Sequence, residues 1–382
     1  MALPLLGKTQ KRQAHFAPAV LFCASLISLM ALSPAAFADP VENNPLGQPL
    51  ETAASDEGYG LREGSFVVAP IPFKNVLIGA GLVLGGGYLF QMDAESDTSY
   101  LGVAAMRSEN GSHAVGLGGN FAFDNNQWQM GVTLADAEAK YDLYLGNLPV
   151  PVRQTGQIFD SKLFYGLTPE LLIGGGLRYV TTSLGYDSAA GGPPLPEAEL
   201  DLAHFSLLGK WDTRDDSFSA RTGHLLEADI SYGNVVSASS RDYVKASLSF
   251  TYHQPIGAQD SLALHLVGCT VSDAAPFFDK CSLGGTDNFR GYSPAEFLDN
   301  DLLSAQIEYR HQLFSRLGLV AFAGVGDTGS ALSDINDDGL KYAGGLGLRV
   351  QLSKKFKAML SVDASVNERS EDLLYVYVGQ RF

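Results

Sequence analysis

The sequence has few cysteines, few basic residues and no long apolar segment beyond its beginning. Among 382 residues there are three Cys and 26 Lys or Arg, against 42 Asp or Glu, which gives a formal net charge of −16. Nucleic-acid binding depends on clustered basic side chains, so this balance argues against a nucleic-acid partner. After the N-terminal region no segment reaches about 18 uninterrupted apolar residues, so the sequence predicts no membrane-spanning helix there.

Residues 1–38 predict a secretory signal peptide. Three basic residues within the first twelve precede an apolar segment at residues 17–32, and Ala-Phe-Ala at residues 36–38 is a small-x-small cleavage site. The alternative, a membrane anchor, is disfavoured because the apolar segment is short and ends in a cleavage signal. Residues 39–60 are rich in Pro, Asn, Gly and acids, and we predict a disordered lead-in for them.

The rest of the chain is rich in glycine, aromatic residues and alternating apolar positions. It contains 42 Gly, 21 Phe and 16 Tyr, and 46% of all residues are hydrophobic. In residues 342–352 and 356–367, every second residue is apolar or Gly, and the intervening positions are mostly polar or small. Soluble antiparallel sheets also alternate in this way. A series of such long segments joined by short turns is typical of a transmembrane β-barrel, in which one face of each strand contacts lipid and the other the lumen.

We predict an all-β fold for residues 61–382: a sixteen-stranded antiparallel transmembrane β-barrel in the bacterial outer membrane. An even number is expected for a single-chain barrel of this kind. The long connections at 143–153, 188–197, 274–296 and 331–338 are predicted to be extracellular, and the short ones periplasmic. The predicted strands are 62–72, 76–91, 97–107, 113–124, 126–142, 154–167, 170–187, 198–213, 220–236, 241–256, 258–273, 297–313, 315–330, 339–353, 356–368 and 372–382.

A glycine-rich loop around Arg290 stands out between two of these strands. An exposed turn would gain little from its single cation between aromatic residues, whereas a loop folded into the lumen would use it. A confined cation needs a carboxylate. Glu308 lies on the polar face of the next strand and is the first candidate, and Asp363 is the second. In the alternative arrangement, Glu308 pairs with Arg310 or Arg349 instead.

Two cysteines lie beyond the predicted signal peptide, Cys269 and Cys281. Export to an oxidising compartment favours a disulfide between them, and two free thiols are the alternative. A zinc site is disfavoured, because two sulfur atoms without nearby His ligands do not make a zinc ligand set. We predict neither a metal nor a cofactor.

Asp212, Arg214 and Asp215 form a charged cluster at a predicted strand end. A solvated turn explains this cluster, and a catalytic site is the alternative. A hydrolase needs a nucleophile and a base within hydrogen-bond reach, and no Ser-His-acid set stands out among the seven scattered His. We therefore do not predict an enzyme.

These motifs, in this order, resemble a known family. The segment Gly-Gly-Thr-Asp-Asn-Phe-Arg-Gly-Tyr, which includes Arg290, Gly291 and Tyr292, is similar to the Arg-Gly-aromatic loop of the BamA-type outer-membrane assembly and transport superfamily, the bacterial surface antigen domain. As in that family, five strands follow it. The resemblance covers about residues 62–382. Further similar segments are Trp-Asp-Thr-Arg-Asp at 211–215, Ile-Glu-Tyr-Arg at 307–310, Val-Asp-Ala at 362–364 and Tyr-Val-Gly-Gln-Arg-Phe at 377–382.

Two departures from the family pattern accompany the resemblance. The short segment between residue 38 and the first strand leaves no room for the periplasmic POTRA modules that such proteins usually carry, so we expect a member without them. Phe-Ala-Gly-Val-Gly at 322–326 resembles the family's Phe-x-Asp-x-Gly element, but Gly324 replaces the acid. The usual carboxylate partner of the loop arginine is therefore missing at that position.

The resemblance implies a role in outer-membrane biogenesis, in which the barrel inserts or translocates protein or lipid. The first and last strands would meet at a weak seam, for which Pro70, Pro72 and a short first strand are the expected signs. The alternative is a passive or gated channel that the Arg290 loop plugs. The implied partners are outer-membrane lipid and the barrel assembly machinery, which would read the terminal strand ending at Phe382.

Overall fold

The computed structural model describes residues 60, 64–94, 96–145, 148–187, 198–216, 219–237, 241–337, 339–351, 359–378 and 380. The predicted signal peptide, nearly all of the lead-in, the predicted connection 188–197 and Phe382 lie outside the described residues.

Within the described part of the chain, sixteen strands form a closed antiparallel barrel in which neighbours in sequence pair with each other and the last strand pairs with the first. The predicted fold class is confirmed. Two further short strands, β12 and β13, pair with each other in the connection between β11 and β14. The strands are β1 (Ser65–Asn75), β2 (Gly79–Gln91), β3 (Thr98–Ser108), β4 (His113–Phe123), β5 (Trp128–Leu145), β6 (Leu148–Gly166), β7 (Leu171–Tyr186), β8 (Ala198–Asp212), β9 (Gly223–Val235), β10 (Arg241–Pro255), β11 (Asp260–Val271), β12 (Cys281–Leu283), β13 (Phe297–Asp299), β14 (Asp301–Phe314), β15 (Leu317–Gly329), β16 (Lys341–Gln351), β17 (Met359–Asn367) and β18 (Asp372–Val378).

Among the described residues, helical structure is confined to short turns in the connections. Two 3-10 turns cover Phe277–Asp279 and Leu332–Asp334, and one four-residue α-helical turn covers Gly285–Asn288. None of the helices in the described ranges has the length and apolar character needed to cross a bilayer.

The strands turn apolar side chains outward and polar ones inward. On β8, for example, Phe205 is 58% exposed and Leu207 is 66% exposed, whereas His204 and Lys210 are buried inside. Successive side chains on a strand point to opposite faces. Rows of exposed apolar side chains would be unfavourable in water, but they are the expected outer surface of a barrel in lipid.

The predicted long connection at 143–153 is wrong. Strands β5 and β6 continue to Leu145 and Leu148, so the residues between them number only two. Pro149 and Pro151 lie within β6 although proline cannot donate to a ladder. Both prolines precede Val152, where the pairing of β6 with β7 begins, and both are paired with residues of β5.

The ends of β5 and β6 cover one mouth of the barrel. The connections after β1 and β5 and the loop after β11 share this end, the loop end, because consecutive strands are antiparallel. Inward side chains of the β5–β6 hairpin form one apolar cluster with two other segments. These are the connection between β1 and β2 and the part of the loop after β11 that leads back to β14. Its buried members are Ile78, Ala139, Tyr141, Leu143, Val152, Leu184 and Ala295.

The seam between β1 and β18 is the most weakly paired strand boundary within the described residues. A single Cα pair, Lys74 with Val376, joins the two strands, whereas β17 and β18 pair from Leu360 through Val366. The expected short first strand is wrong, because β1 has 11 residues, as many as β3 and β4.

Candidate functional site: a loop anchored in the lumen

The connection between β11 and β14 folds into the barrel. We refer to residues 272–300 as the lumen loop. At its tip Phe289, Arg290 and Tyr292 are each 0% exposed. A loop that projected into solvent would leave at least one such large side chain accessible, so the tip is enclosed by the barrel wall.

Apolar packing holds the body of the lumen loop against the inner wall. Phe278, Leu283, Phe289 and Tyr292 belong to one buried cluster with wall residues. The rings of Phe289 and Tyr292 stack at 5.8 Å between centroids. The wall residues of this cluster come from strands around much of the barrel: Val180, Leu200, Leu202, Val235, Tyr243, Val267, Val271, Leu302 and Ala343.

Arg290 reaches both candidate carboxylates. Its Nη1 lies 2.7 Å from Glu308 Oε2 and 2.8 Å from Asp363 Oδ2. The guanidinium also lies over the ring of Phe322, with 3.8 Å between Cζ and the ring centroid. A cation above an aromatic face gains electrostatic attraction that grows when the pair is desolvated.

The alternative partners of Glu308 belong to the same cluster. Arg310 Nε donates to Glu308 Oε1 at 2.7 Å, and Arg349 Nη2 lies 3.4 Å from Glu308 Oε2. Arg349 Nη1 also donates to Asp363 Oδ1, and Tyr377 Oη donates to Asp363 Oδ2 at 2.7 Å. Three guanidinium groups therefore share two carboxylates, and the five side chains together carry one positive charge.

Gly291 brings the loop backbone against the wall. Its φ is +133°, and a Cβ there would stand 2.2 Å from the Cβ of Ala343. Its N–H donates to Tyr375 Oη at 2.9 Å, and its carbonyl accepts from Asn367 Nδ2 at 3.1 Å. Close approach and positive φ both require glycine at this position.

Close packing by Gln306, Ala305 and Phe289 explains why residue 324 is glycine. A Cβ at Gly324 would lie 2.9 Å from the Phe289 ring and 2.5 Å from Gln306 Cγ. An acidic side chain has no room there. The two carboxylates that face the loop arginine come instead from β14 and β17, through Glu308 and Asp363.

A second polar contact lies at the base of the lumen loop, and sequence reasoning missed it. Asp279 accepts from Tyr243 Oη at 2.7 Å and from Lys245 Nζ at 3.1 Å, and His204 Nε2 lies 3.6 Å away. Burial raises the pKa of Asp279, but Lys245, His204 and the Tyr243 hydroxyl outweigh it and lower the pKa to about 2. The alternation of β10 points Tyr243 and Lys245 inward, yet it does not reveal which loop residue they meet.

A disulfide between Cys269 and Cys281 joins β11 to β12, with 5.7 Å between the Cα atoms. It closes a segment of the lumen loop with a sequence separation of 12. The loop is thus held covalently at its base and by ion pairs at its tip.

The strand-end cluster forms a turn between β8 and β9, at the end opposite the lumen loop. Arg214 makes a two-pronged contact with Asp212, at 3.0 Å and 2.9 Å. Asp215 Oδ1 accepts from the backbone N–H groups of Arg221 and Thr222. Burial alone would raise the pKa of Asp215, but these backbone hydrogen bonds lower it overall. These contacts close the turn.

Beside the lumen loop the barrel holds a cavity of about 340 Å³. Its lining combines charges of both signs from β6 to β10, among them Asp160, Lys162, Arg178, Asp229 and Lys245. Arg178 Nε pairs with Asp160 Oδ2 at 2.8 Å. The lining indicates a hydrated part of the lumen, in contrast to the densely packed tip.

A closed sixteen-stranded barrel with an apolar outer surface and a folded-in arginine loop defines a bacterial outer-membrane protein. A family model described as the Omp85 superfamily domain matches residues 152–371, more than half of the chain. The chain belongs to the Omp85 superfamily.

Solved structures agree with this family at the level of fold. BamA from Haemophilus ducreyi, lacking POTRA domains 1–3, is 12% identical with a TM-score of 0.60 over 83% of this chain and 70% of that chain. CdiB from Acinetobacter baumannii is 11% identical with a TM-score of 0.56 over 82% and 59%, and CdiB from Escherichia coli is 13% identical with a TM-score of 0.56 over 88% and 70%. The chain thus spans 59% to 70% of these relatives. No curated protein sequence matches it significantly.

Proposed function

We propose that this Omp85 barrel acts in outer-membrane biogenesis and inserts or translocates protein or lipid through the seam between β1 and β18. The observation that carries the proposal is the single Cα pair at that seam among the described residues. Every other boundary of the barrel is paired over at least seven positions there, as between β17 and β18.

The physical reason is the cost of unpaired backbone groups in lipid. Each unsatisfied N–H or C=O in the hydrocarbon region costs several kcal/mol, which favours closed barrels. A boundary with few hydrogen bonds is therefore the one that opens at the lowest cost. Pro70 and Pro72 lie on β1 and have no N–H to leave unsatisfied when β18 separates.

The proposed chain layout comprises a signal peptide at 1–38, a lead-in at 39–60 and the barrel at 61–382. In this layout the lumen loop is extracellular in origin, the turn with Asp212, Arg214 and Asp215 is periplasmic, and the assembly machinery reads the terminal strand ending at Phe382. The proposal assigns the barrel no catalytic reaction. Its immediate partner is outer-membrane lipid.

One observation favours a second function, a gated channel. The hydrated cavity beside the lumen loop has a volume of about 340 Å³ and a charged lining. Displacement of the loop would join this cavity to the barrel mouth, and the loop would then act as a plug.

A reversible crosslink across the seam tests the proposal. Lys74 and Val376 are Cα partners, so Lys74→Cys with Val376→Cys allows a disulfide there. In proteoliposomes, the reduced variant should accelerate insertion of an unfolded outer-membrane β-barrel protein, and the oxidised variant should lose that acceleration. The control pair is Leu319→Cys with Leu348→Cys, which are Cα partners across the fully paired β15–β16 boundary.

Two results would contradict the proposal. One is undiminished insertion with the seam oxidised. The other is a lack of acceleration by the reduced barrel together with a steady large conductance in planar bilayers, which favours the channel.

A further inference from the structure

We infer that the lumen loop is a clasp for the last hairpin, β17–β18, and that Asn367 and Tyr375 are the positioning residues that fasten it. The inference rests on the proposed seam, because β18 forms one side of that seam. Its consequence is that β18 cannot leave β1 freely while the loop tip stays in place.

The first fastening is at the backbone of Gly291. Both of its peptide groups bind the hairpin: the N–H donates to Tyr375 Oη on β18, and the C=O accepts from Asn367 Nδ2 on β17. Tyr375 is fully buried. Each bond lost without replacement at such a site leaves a buried polar group unsatisfied, which costs more than the bond itself contributes.

The second fastening is Asp363, which contacts the loop and both strands of the hairpin. Asp363 belongs to β17, its Oδ2 lies 2.8 Å from Arg290 Nη1, and the same oxygen accepts from Tyr377 on β18 at 2.7 Å. The carboxylate thus fixes the spacing between the loop arginine and the last strand. Charge-assisted bonds of this kind are the stronger ones in proteins.

The third fastening is at the loop end of the barrel. Arg369, in the turn between β17 and β18, pairs with Glu296 of the lumen loop. Its guanidinium lies 5.8 Å from the ring centroid of Tyr292 and 5.6 Å from that of Phe297. The loop therefore holds the hairpin at its turn as well as along its strands.

The lumen loop also contacts the opposite side of the seam. Ala295 belongs to the same apolar cluster as Ile78, which lies between β1 and β2. The returning part of the loop therefore spans from the β1 side to the β18 side. Because binding between two elements is reciprocal, loosening the loop must loosen β18, and loosening β18 must loosen the loop.

Hydrogen–deuterium exchange of the full barrel in nanodiscs tests this reciprocity with two variants. Gly291→Ala places a Cβ against Ala343 and displaces the tip, and it should raise exchange in β18 about tenfold, although β18 itself is unchanged. Tyr375→Phe removes only a hydroxyl, and it should raise exchange in residues 284–292 by about threefold to tenfold. If Gly291→Ala prevents folding, Tyr375→Phe decides the test alone.

The matched control is Tyr165→Phe, which removes a hydroxyl that accepts from Gln127 Nε2 at 2.8 Å on the outer surface of β6. It should leave exchange in the loop and in β18 unchanged. Exchange that rises only near the substituted residue, or equally in β6 and β7, would overturn the clasp. The crosslinking assay tests the proposed function separately. If oxidation abolishes insertion but exchange is not coupled, the seam proposal stands and the clasp is wrong. If exchange is coupled but insertion does not depend on the seam, the clasp stands and the proposed function is wrong.

Discussion

Three guanidinium groups share two carboxylates where the lumen loop meets the barrel wall. This excess of positive charge determines how much each substitution in the cluster should destabilise the barrel. The side chains of Arg290 and Asp363 are 0% exposed and that of Glu308 is 2% exposed. Removing a partner from a buried ion pair leaves an uncompensated charge, which is strongly destabilising. Loss of an acid worsens the positive excess, whereas loss of an arginine relieves it.

We therefore expect Asp363→Ala to destabilise the barrel by about 3–5 kcal/mol and Arg290→Ala by less, roughly 1–3 kcal/mol. The measurement is the free energy of unfolding in detergent, from urea titrations. In the double variant Arg290→Ala with Asp363→Ala, the loss of unfolding free energy caused by Asp363→Ala should be smaller. The expected coupling energy between the two substitutions is about 1–3 kcal/mol.

The control for that cycle is Arg214→Ala, which breaks the pair with Asp212 in a partly exposed turn. Because this turn lies at the opposite end of the barrel from the lumen loop, Arg214→Ala should be additive with Asp363→Ala. Strict additivity of Arg290→Ala with both Asp363→Ala and Glu308→Ala would show that Arg290 does not anchor the loop.

Alternation predicts which face of a strand carries an acid, and this is why sequence reasoning could nominate Glu308 and Asp363. It does not reveal which strands meet across the lumen. The bridging of both acids by Arg349 depends on which inward side chains of β14, β16 and β17 come together. The contact of Asp279 with Tyr243 depends on the path of the loop, which no local pattern encodes.

At the scale of elements, the disulfide determines how far the base of the lumen loop can move. Cys269→Ser with Cys281→Ser should lower the free energy of unfolding by on the order of 3 kcal/mol, the chain-entropy value for a loop of about this length. In the unaltered protein, thiol labelling after denaturation without reductant should find neither cysteine free.

Cys269→Ala alone is the labelling control, because it leaves Cys281 as a free thiol. Labelling of both cysteines in the unaltered, unreduced protein would contradict the disulfide. Unchanged stability of the double variant would show that the bridge does not constrain the loop.

The strands themselves were largely predictable, because a lipid-facing row and a lumen-facing row impose a period of two over many residues. The predictions that failed concern places where contacts outside the local strand pattern decide the structure. The β5–β6 hairpin continues through Pro149 and Pro151, because its inner face packs on the lumen loop at Ala295. The seam could be suspected from Pro70 and Pro72, although β1 is not a short strand.

For the whole molecule, closure of the barrel makes it suitable for a lipid environment, because it satisfies the backbone groups of the strand edges. The mature protein should fractionate with the outer membrane, give a circular dichroism spectrum dominated by sheet, and migrate differently on a gel before and after boiling. A helical spectrum, or recovery in the soluble periplasm, would contradict the barrel.

The anchored loop also imposes an order on biosynthesis. Arg290 is made 73 residues before Asp363, and Gly291 is made 84 residues before Tyr375. Glu308 is made soon after Arg290, but the contacts of the tip with Asp363, Asn367 and Tyr375 can form only after the last hairpin has been made. Long-range contacts of this kind form late and slowly. A chain truncated before β17 would keep Glu308 but lack Asp363, Asn367 and Tyr375, so the loop tip would be only partly anchored.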